Sequence, residues 1–138
     1  MKHIGAILVT TGLFVVAGAM GTARAEDGVT LYTGAIEATH FACNAVNVGR
    51  KTLSITISIL GADGSKLSVT GPTPFPSGWE ISGDFVPPDP AGADGYCKFQ
   101  VSGTRDPDDV RAILNAAIVR NIPGTTTPAL ASRVLEAR

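Results

Sequence analysis

Between Thr52 and Leu60 every second residue is a large aliphatic. Leu53, Ile55, Ile57 and Ile59 face one way along an extended chain, and Ser54, Thr56 and Ser58 face the other. That period commits the segment to a half-buried strand. Ala62-Asp63-Gly64-Ser65 follows, and Asp-Gly is a strong hairpin signal. Lys66 to Thr70 then returns, with Leu67 and Val69 expected inward. A hairpin over 53–69 anchors the rest.

The same period recurs along the chain, broken each time by turn residues. Upstream, His40 to Val48 alternates through Phe41 and Cys43. Its apolar phase then moves to Val46 and Val48, which predicts a bulge or bend near Ala45. Asn47-Val48-Gly49-Arg50 turns into the next strand, and an earlier strand is expected near Thr30 to Ala38. Gly71 to Gly78 holds three prolines and is expected to be an extended loop, because proline supplies no ladder hydrogen bond. Trp79 to Phe85 alternates again, with Trp79, Ile81 and Phe85 on one face. Val86 to Asp94 reads as a second Pro-rich loop. From Gly95 to Ser102, Cys97, Phe99 and Val101 face inward and Tyr96, Lys98 and Gln100 outward.

Residues 106–121 carry two patterns at once. Asp106-Pro107-Asp108-Asp109 followed by Val110, Ile113, Leu114, Ala117 and Ile118 is a helix template with a capping acid, Pro at the first position and acids in the first turn. Val110, Ala112, Leu114, Ala116 and Ile118 also alternate as a strand would, with Thr127 to Leu135 as a hairpin partner beyond Ile122-Pro123-Gly124. The need to close a sandwich favours the strand, and the helix stays the alternative. The fold class expected is all-β: an antiparallel β-sandwich of about seven to eight strands, immunoglobulin-like in the loose sense. Immunoglobulin domains set a Trp a short interval after the first Cys; here Trp79 lies 36 residues after Cys43, which departs from that topology.

Residues 1–25 have the form of a secretory signal peptide: Lys2, an apolar run from Ile4 to Met20, then Ala23-Arg24-Ala25 before Glu26. Cleavage is expected between Ala25 and Glu26, leaving 26–138 as a single domain, secreted or periplasmic, without membrane insertion. Losing Lys2 and Arg24 leaves 9 basic against 12 acidic residues, a net charge of −3. That balance excludes a basic nucleic-acid surface. Cys43 and Cys97 both fall in the exported part, where two thiols imply one disulfide with one possible connectivity. Its separation of 54 residues makes it worth about 4 kcal/mol by loop closure.

Phe41-Ala42-Cys43, then Asn47-Val48-Gly49, the Ile-rich strand, the Gly64 turn, the Pro-rich loop, Gly95-Tyr96-Cys97-Lys98-Phe99-Gln100-Val101-Ser102-Gly103 and Val110-Arg111-Ala112 come in an order that resembles small, exported, uncharacterised bacterial proteins that look like two-Cys β-sandwiches. The resemblance spans residues 40–115, is structural, and implies strand rather than helix after Gly103. It brings no catalytic or ligand residue with it.

What the exported part lacks is informative. It has no Met, and His40 is its one histidine. Blue-copper sites and His-rich zinc sites need more, and a hydrolytic triad would have to use His40 as its base. No nucleophile elbow, phosphate loop or dinucleotide fingerprint occurs. No catalytic, cofactor or metal residue is therefore assigned. The residues point to a non-enzymatic binding or envelope-associated module with a protein or glycan partner, and Phe75 and Trp79, flanking the first loop, are the candidate binding surface against a competing role in the core. Three alternatives stay open. A small hydrolase would use carboxylates such as Asp84, Asp89 and Asp94. A calcium loop would use Asp106, Asp108 and Asp109. A pilus-type subunit would be completed by a donor strand, with an open groove and an unpaired arm at 26–34.

Overall fold

The computed structural model describes residues 28–120 and 129–138; the leader assigned to 1–25 and the turn at 122–124 lie outside the described residues. Among the described residues nine strands follow one another: β1 (Gly28–Tyr32), β2 (Ile36–Ala38), β3 (His40–Asn47), β4 (Leu53–Gly61), β5 (Lys66–Phe75), β6 (Glu80–Phe85), β7 (Ala93–Ser102), β8 (Val110–Arg120) and β9 (Ala129–Glu136). They make two antiparallel sheets. The first runs β1-β7-β4-β5, with β2 also paired to β7, and the second runs β6-β3-β8-β9. The expected all-β sandwich is present.

The core lies between the sheets and follows the predicted alternation. Ile55, Ile57 and Ile59 pair in register with Val101, Phe99 and Cys97, and all six are buried. Phe41, Cys43 and Ala45 of β3 face them from the other sheet, backed by Leu114 and Ala112 of β8. Each large side chain so buried contributes roughly 1.5–3 kcal/mol before the entropy of ordering it. Cys43 and Cys97 are bonded, with Cα atoms 5.9 Å apart, and tie an interior strand of one sheet to an interior strand of the other.

The helix alternative for 106–121 is overturned. Asp106 does cap, accepting from the Asp108 N–H at 3.0 Å, and Pro107 follows it, but they close only one 3-10 turn, Pro107–Asp109. From Val110 onward the chain pairs with β3 on one side and β9 on the other. Burial of Val110, Ala112, Leu114 and Ala116 on one strand face outweighs the local helical preference.

Three other expectations need correction. The Pro-rich segment is not a loop as far as Phe75: β5 continues through Pro72 and Pro74. Among the described strands it lies at a sheet edge with β4 as its one neighbour, so only one side of its backbone is needed for pairing. The ladder accommodates the prolines through a register shift opposite Ile55 and Ile57. There Gly71 takes φ +106, where a Cβ would strike the Ile55 carbonyl oxygen. A second shift, beside Ile59, brings Ser68 rather than Val69 into phase with the core. Val69 is accordingly 49% exposed and Leu67 only partly buried. Lastly, β3 has no bulge near Ala45: its register to β6 and β8 is continuous. The inward phase runs Phe41, Cys43, Ala45, Asn47, leaving Val48 exposed.

The strand expected over Thr30 to Ala38 is two short strands, both paired to β7. Beyond β9 the chain stitches the two sheets together. The Ala137 N–H donates to Ala112 of β8, and Arg138 and Tyr32 of β1 exchange two backbone hydrogen bonds of 3.0 and 3.1 Å.

Two predictions follow from this packing. Cys43→Ala combined with Cys97→Ala should lose about 2–5 kcal/mol of unfolding free energy, read by urea denaturation, because the unfolded chain regains a long loop's entropy. At the β4–β5 turn, the Asp63 carboxylate accepts from the Ser65 hydroxyl and from its N–H, the latter at 2.9 Å, and these bonds hold its pKa below the usual carboxylate value. A folded pKa below the unfolded one contributes stability at neutral pH that is lost as pH falls through the folded value. Ser65→Ala should therefore raise the Asp63 pKa in an NMR titration.

Candidate binding surface

Three connections meet at one end of the sandwich: 48–52 between β3 and β4, 76–79 between β5 and β6, and 103–109 between β7 and β8. Asn47, the last residue of β3, is wholly buried where they meet. Its amide nitrogen donates to the carbonyls of Lys51 at 2.8 Å and Phe75 at 2.6 Å, and its amide oxygen accepts from the Gly49 N–H at 3.0 Å. Its backbone N–H donates to the Trp79 carbonyl, and its own carbonyl accepts from the Gly78 N–H at 2.7 Å. One side chain with two donors and an acceptor thus satisfies both neighbouring loops, and no buried side-chain polar atom among the described residues is left without a partner.

The 76–79 segment is a tight turn. The Trp79 N–H donates to the Pro76 carbonyl at 3.1 Å, and Gly78 takes φ +77 at the third position. A turn of type II requires that positive φ, hence glycine there. Ser77 adds a hydroxyl bond of 2.6 Å to the Gly49 carbonyl. On the other side, the Asp109 carbonyl accepts from the N–H groups of Val48 and Gly49, and its carboxylate accepts from the Thr104 hydroxyl at 2.6 Å. The backbone of this end is therefore fixed from both flanks.

What it presents outward is Trp79, 62% exposed, and Val48, 51% exposed, with Arg50 and Lys51 also exposed. Beside them Val48, Arg50, Lys51, Gly103, Thr104 and Asp109 line a cavity of about 370 Å³.

The two candidate aromatics are separated. Phe75 is fully buried opposite Leu53 and is unavailable to a partner. Trp79 is on the surface. It shares sequence parity with Ile81 and Phe85, which pack partly buried against the core. It precedes the first paired residue of β6, however, and the turn carries its ring outward. Asn47 is the residue that sequence reasoning missed. Its signal was position: it continues the inward phase Phe41, Cys43, Ala45 and stands two residues before a glycine.

The other candidate residues lie on different elements. Asp84, on β6, lies 3.5 Å from His40 Nε2, both side chains being well exposed. Asp89 caps its own exposed loop by accepting from the Ala91 N–H, and Asp94 sits on β7 opposite Glu37 of β2. None of the three acids lines the cavity above. Asp106 and Asp109 are engaged in the turn bonds already described, and among the described residues no group of three or more His, Cys, Asp or Glu is placed to hold a metal ion. The arm expected to be unpaired at 26–34 is, from Gly28 to Tyr32, a strand of the protein's own sheet.

No protein-family model matches the chain, and no curated protein is significantly similar to it. Among solved structures, the crystal structure of Thermotoga maritima 1070 is similar at 14% identity, over 77% of this chain and 90% of that one, with a TM-score of 0.47.

Asn47→Ala should leave the Lys51 and Phe75 carbonyls and the Gly49 N–H without partners in a buried place. Unfolding free energy should fall by about 3 kcal/mol in chemical denaturation. Ser77→Ala, which removes one bond at the periphery, should cost about 1 kcal/mol or less.

Proposed function

We propose that this protein is an exported, non-enzymatic binding module acting at the cell envelope, with residues 26–138 as its single mature domain and the Trp79 end as its recognition surface. The observation that carries this reading is an exposed indole on a backbone held by Asn47, Ser77 and the Gly78 turn. An aromatic on a rigid frame gives a partner large contact area at little entropic cost, which is the profile of a binding hot spot. Export is supported by the leader pattern of residues 1–25 and by a buried Cys43–Cys97 bond, which belongs to oxidising compartments. No helix among the described residues is long and apolar enough to cross a membrane.

Trp79 is the chain's one tryptophan, so intrinsic fluorescence reports this surface alone. Emission should resemble that of a hydrated indole and be quenched fully by acrylamide. Titration with purified cell-wall polysaccharide, and separately with solubilised envelope protein, should shift emission to the blue with one of them and saturate. Trp79→Ala should weaken retention on the active fraction by about 30-fold, the equivalent of roughly 2 kcal/mol. Emission indifferent to both fractions, with the variant retained as well as the native chain, would remove the assignment. N-terminal sequencing of the exported product should begin at Glu26.

A further inference from the structure

The outer faces of the two sheets differ in chemistry. The four-stranded sheet turns Glu80, Asp84, Arg111 and Glu136 to solvent across its registers, the ordinary salting of an exposed sheet. The five-stranded sheet is different where β1, β7, β4 and β5 lie side by side. Thr30, Gln100 and Thr56 are opposed in one row across three strands, and Gly28, Ser102 and Ser54 in the next. Pro72 of β5 bounds them, and together these residues line a trough of about 470 Å³ without a charged group.

Four properties of this trough bear on its ligand. Hydroxyls and a carboxamide each donate and accept, as sugar hydroxyls do, whereas Lys, Arg and ionised acids are limited to one role. Ser and Thr are short, so ordering them on a ligand costs little rotamer entropy. The Thr30–Gln100–Thr56 row spans two strand spacings of about 4.8 Å, roughly 10 Å, and Pro72 on β5 carries the trough to roughly 14 Å, the span of a short oligosaccharide and not of a single sugar. The next row along the same face brings Tyr32, 47% exposed, beside Lys98 and Ser58; Lys98 lies outside the trough lining, and the Tyr32 ring centroid is 6.4 Å from that of Tyr96. Such rings can take the C–H face of a pyranose. A protein interface would instead want an apolar centre, and an anionic ligand would want cations in the trough.

We infer that the outer face of the five-stranded sheet binds an uncharged oligosaccharide, lying along the Thr30–Gln100–Thr56 row with Tyr32 at its border. This inference stands apart from the Trp79 surface, and each can fail without the other.

The test is ¹⁵N NMR of the exported chain, titrated with cellohexaose, maltohexaose and chitohexaose, and with hexagalacturonate as the charged comparator. One neutral hexasaccharide should shift the amides of Thr30, Thr56 and Gln100 saturably at millimolar concentration, and hexagalacturonate should not. Thr56→Lys and Gln100→Ala should each raise the Kd about tenfold or more. Asn115→Lys, on the outer face of the other sheet, should leave it unchanged. Each variant is first matched to the native spectrum, so a misfolded one is recognised. The inference is overturned if no neutral hexasaccharide moves these signals, if binding survives both trough variants, or if hexagalacturonate binds as well. Shifts confined to 48–51 and 76–79 would overturn it too, while supporting the Trp79 surface.

Discussion

A covalent bond between Cys43 and Cys97 joins an interior strand of one sheet to an interior strand of the other. The rest of the sandwich is arranged around that constraint. A cross-link between β3 and β7 sets the separation at which the facing side chains must fit. The residues that fill it are of graded size: Phe41 and Phe99 at two residues from their cysteines, the isoleucines of β4 opposite β7, and small Ala45 and Ala112 farther along β3 and β8. A chain of 138 residues builds a modest core. A bond that restricts the unfolded chain then supplies a sizeable part of a net stability that is typically about 5–15 kcal/mol.

How much of this was legible depended on whether a residue's role was local. Alternation from Leu53 to Ile59, and from Cys97 to Val101, is a property of a single strand, and the inward faces came out as read, while Ser58 on the other face of β4 is also buried. The segment after Gly103 was ambiguous because its helical and strand signals are both real. Asp106 and Pro107 do start a helical turn, and pairing to β3 and β9 ends it after three residues. Sequence alone does not disclose which strands will be neighbours. The prolines of β5 show the same limit. Pro72 and Pro74 argue against a central strand and say nothing against an edge strand, and edge position is decided by the whole topology.

The site was half legible for a related reason. Parity along Trp79 to Phe85 groups the tryptophan with Ile81 and Phe85, yet parity holds only within the ladder, and Trp79 stands one residue outside it. Phe75 was the converse case, an apparent loop residue that is the last inward position of an edge strand. Asn47 misled most. A polar residue at an inward position looks like a break in phase, and the apolar pattern then falls on Val46 and Val48. Its burial becomes intelligible once the carbonyls of Lys51 and Phe75 and the N–H of Gly49 are seen around it. Those partners are main-chain atoms, and main-chain atoms leave no mark in residue types.

That distribution of roles bears on the recognition surface proposed at this end. Loop backbone near a sheet terminus loses its ladder partners, and the lost hydrogen bonds must be replaced. Here the Asn47 amide, the Ser77 hydroxyl and the Asp109 carbonyl bond loop main chain, and the Thr104 hydroxyl, held by the Asp109 carboxylate, accepts from the Asp106 N–H. Because these side chains hold the loop main chain, Trp79 and Val48 stand exposed on an ordered frame. An exposed indole on a mobile loop would give up part of any binding energy to ordering. On a turn already ordered by folding, that cost has been met before a partner arrives.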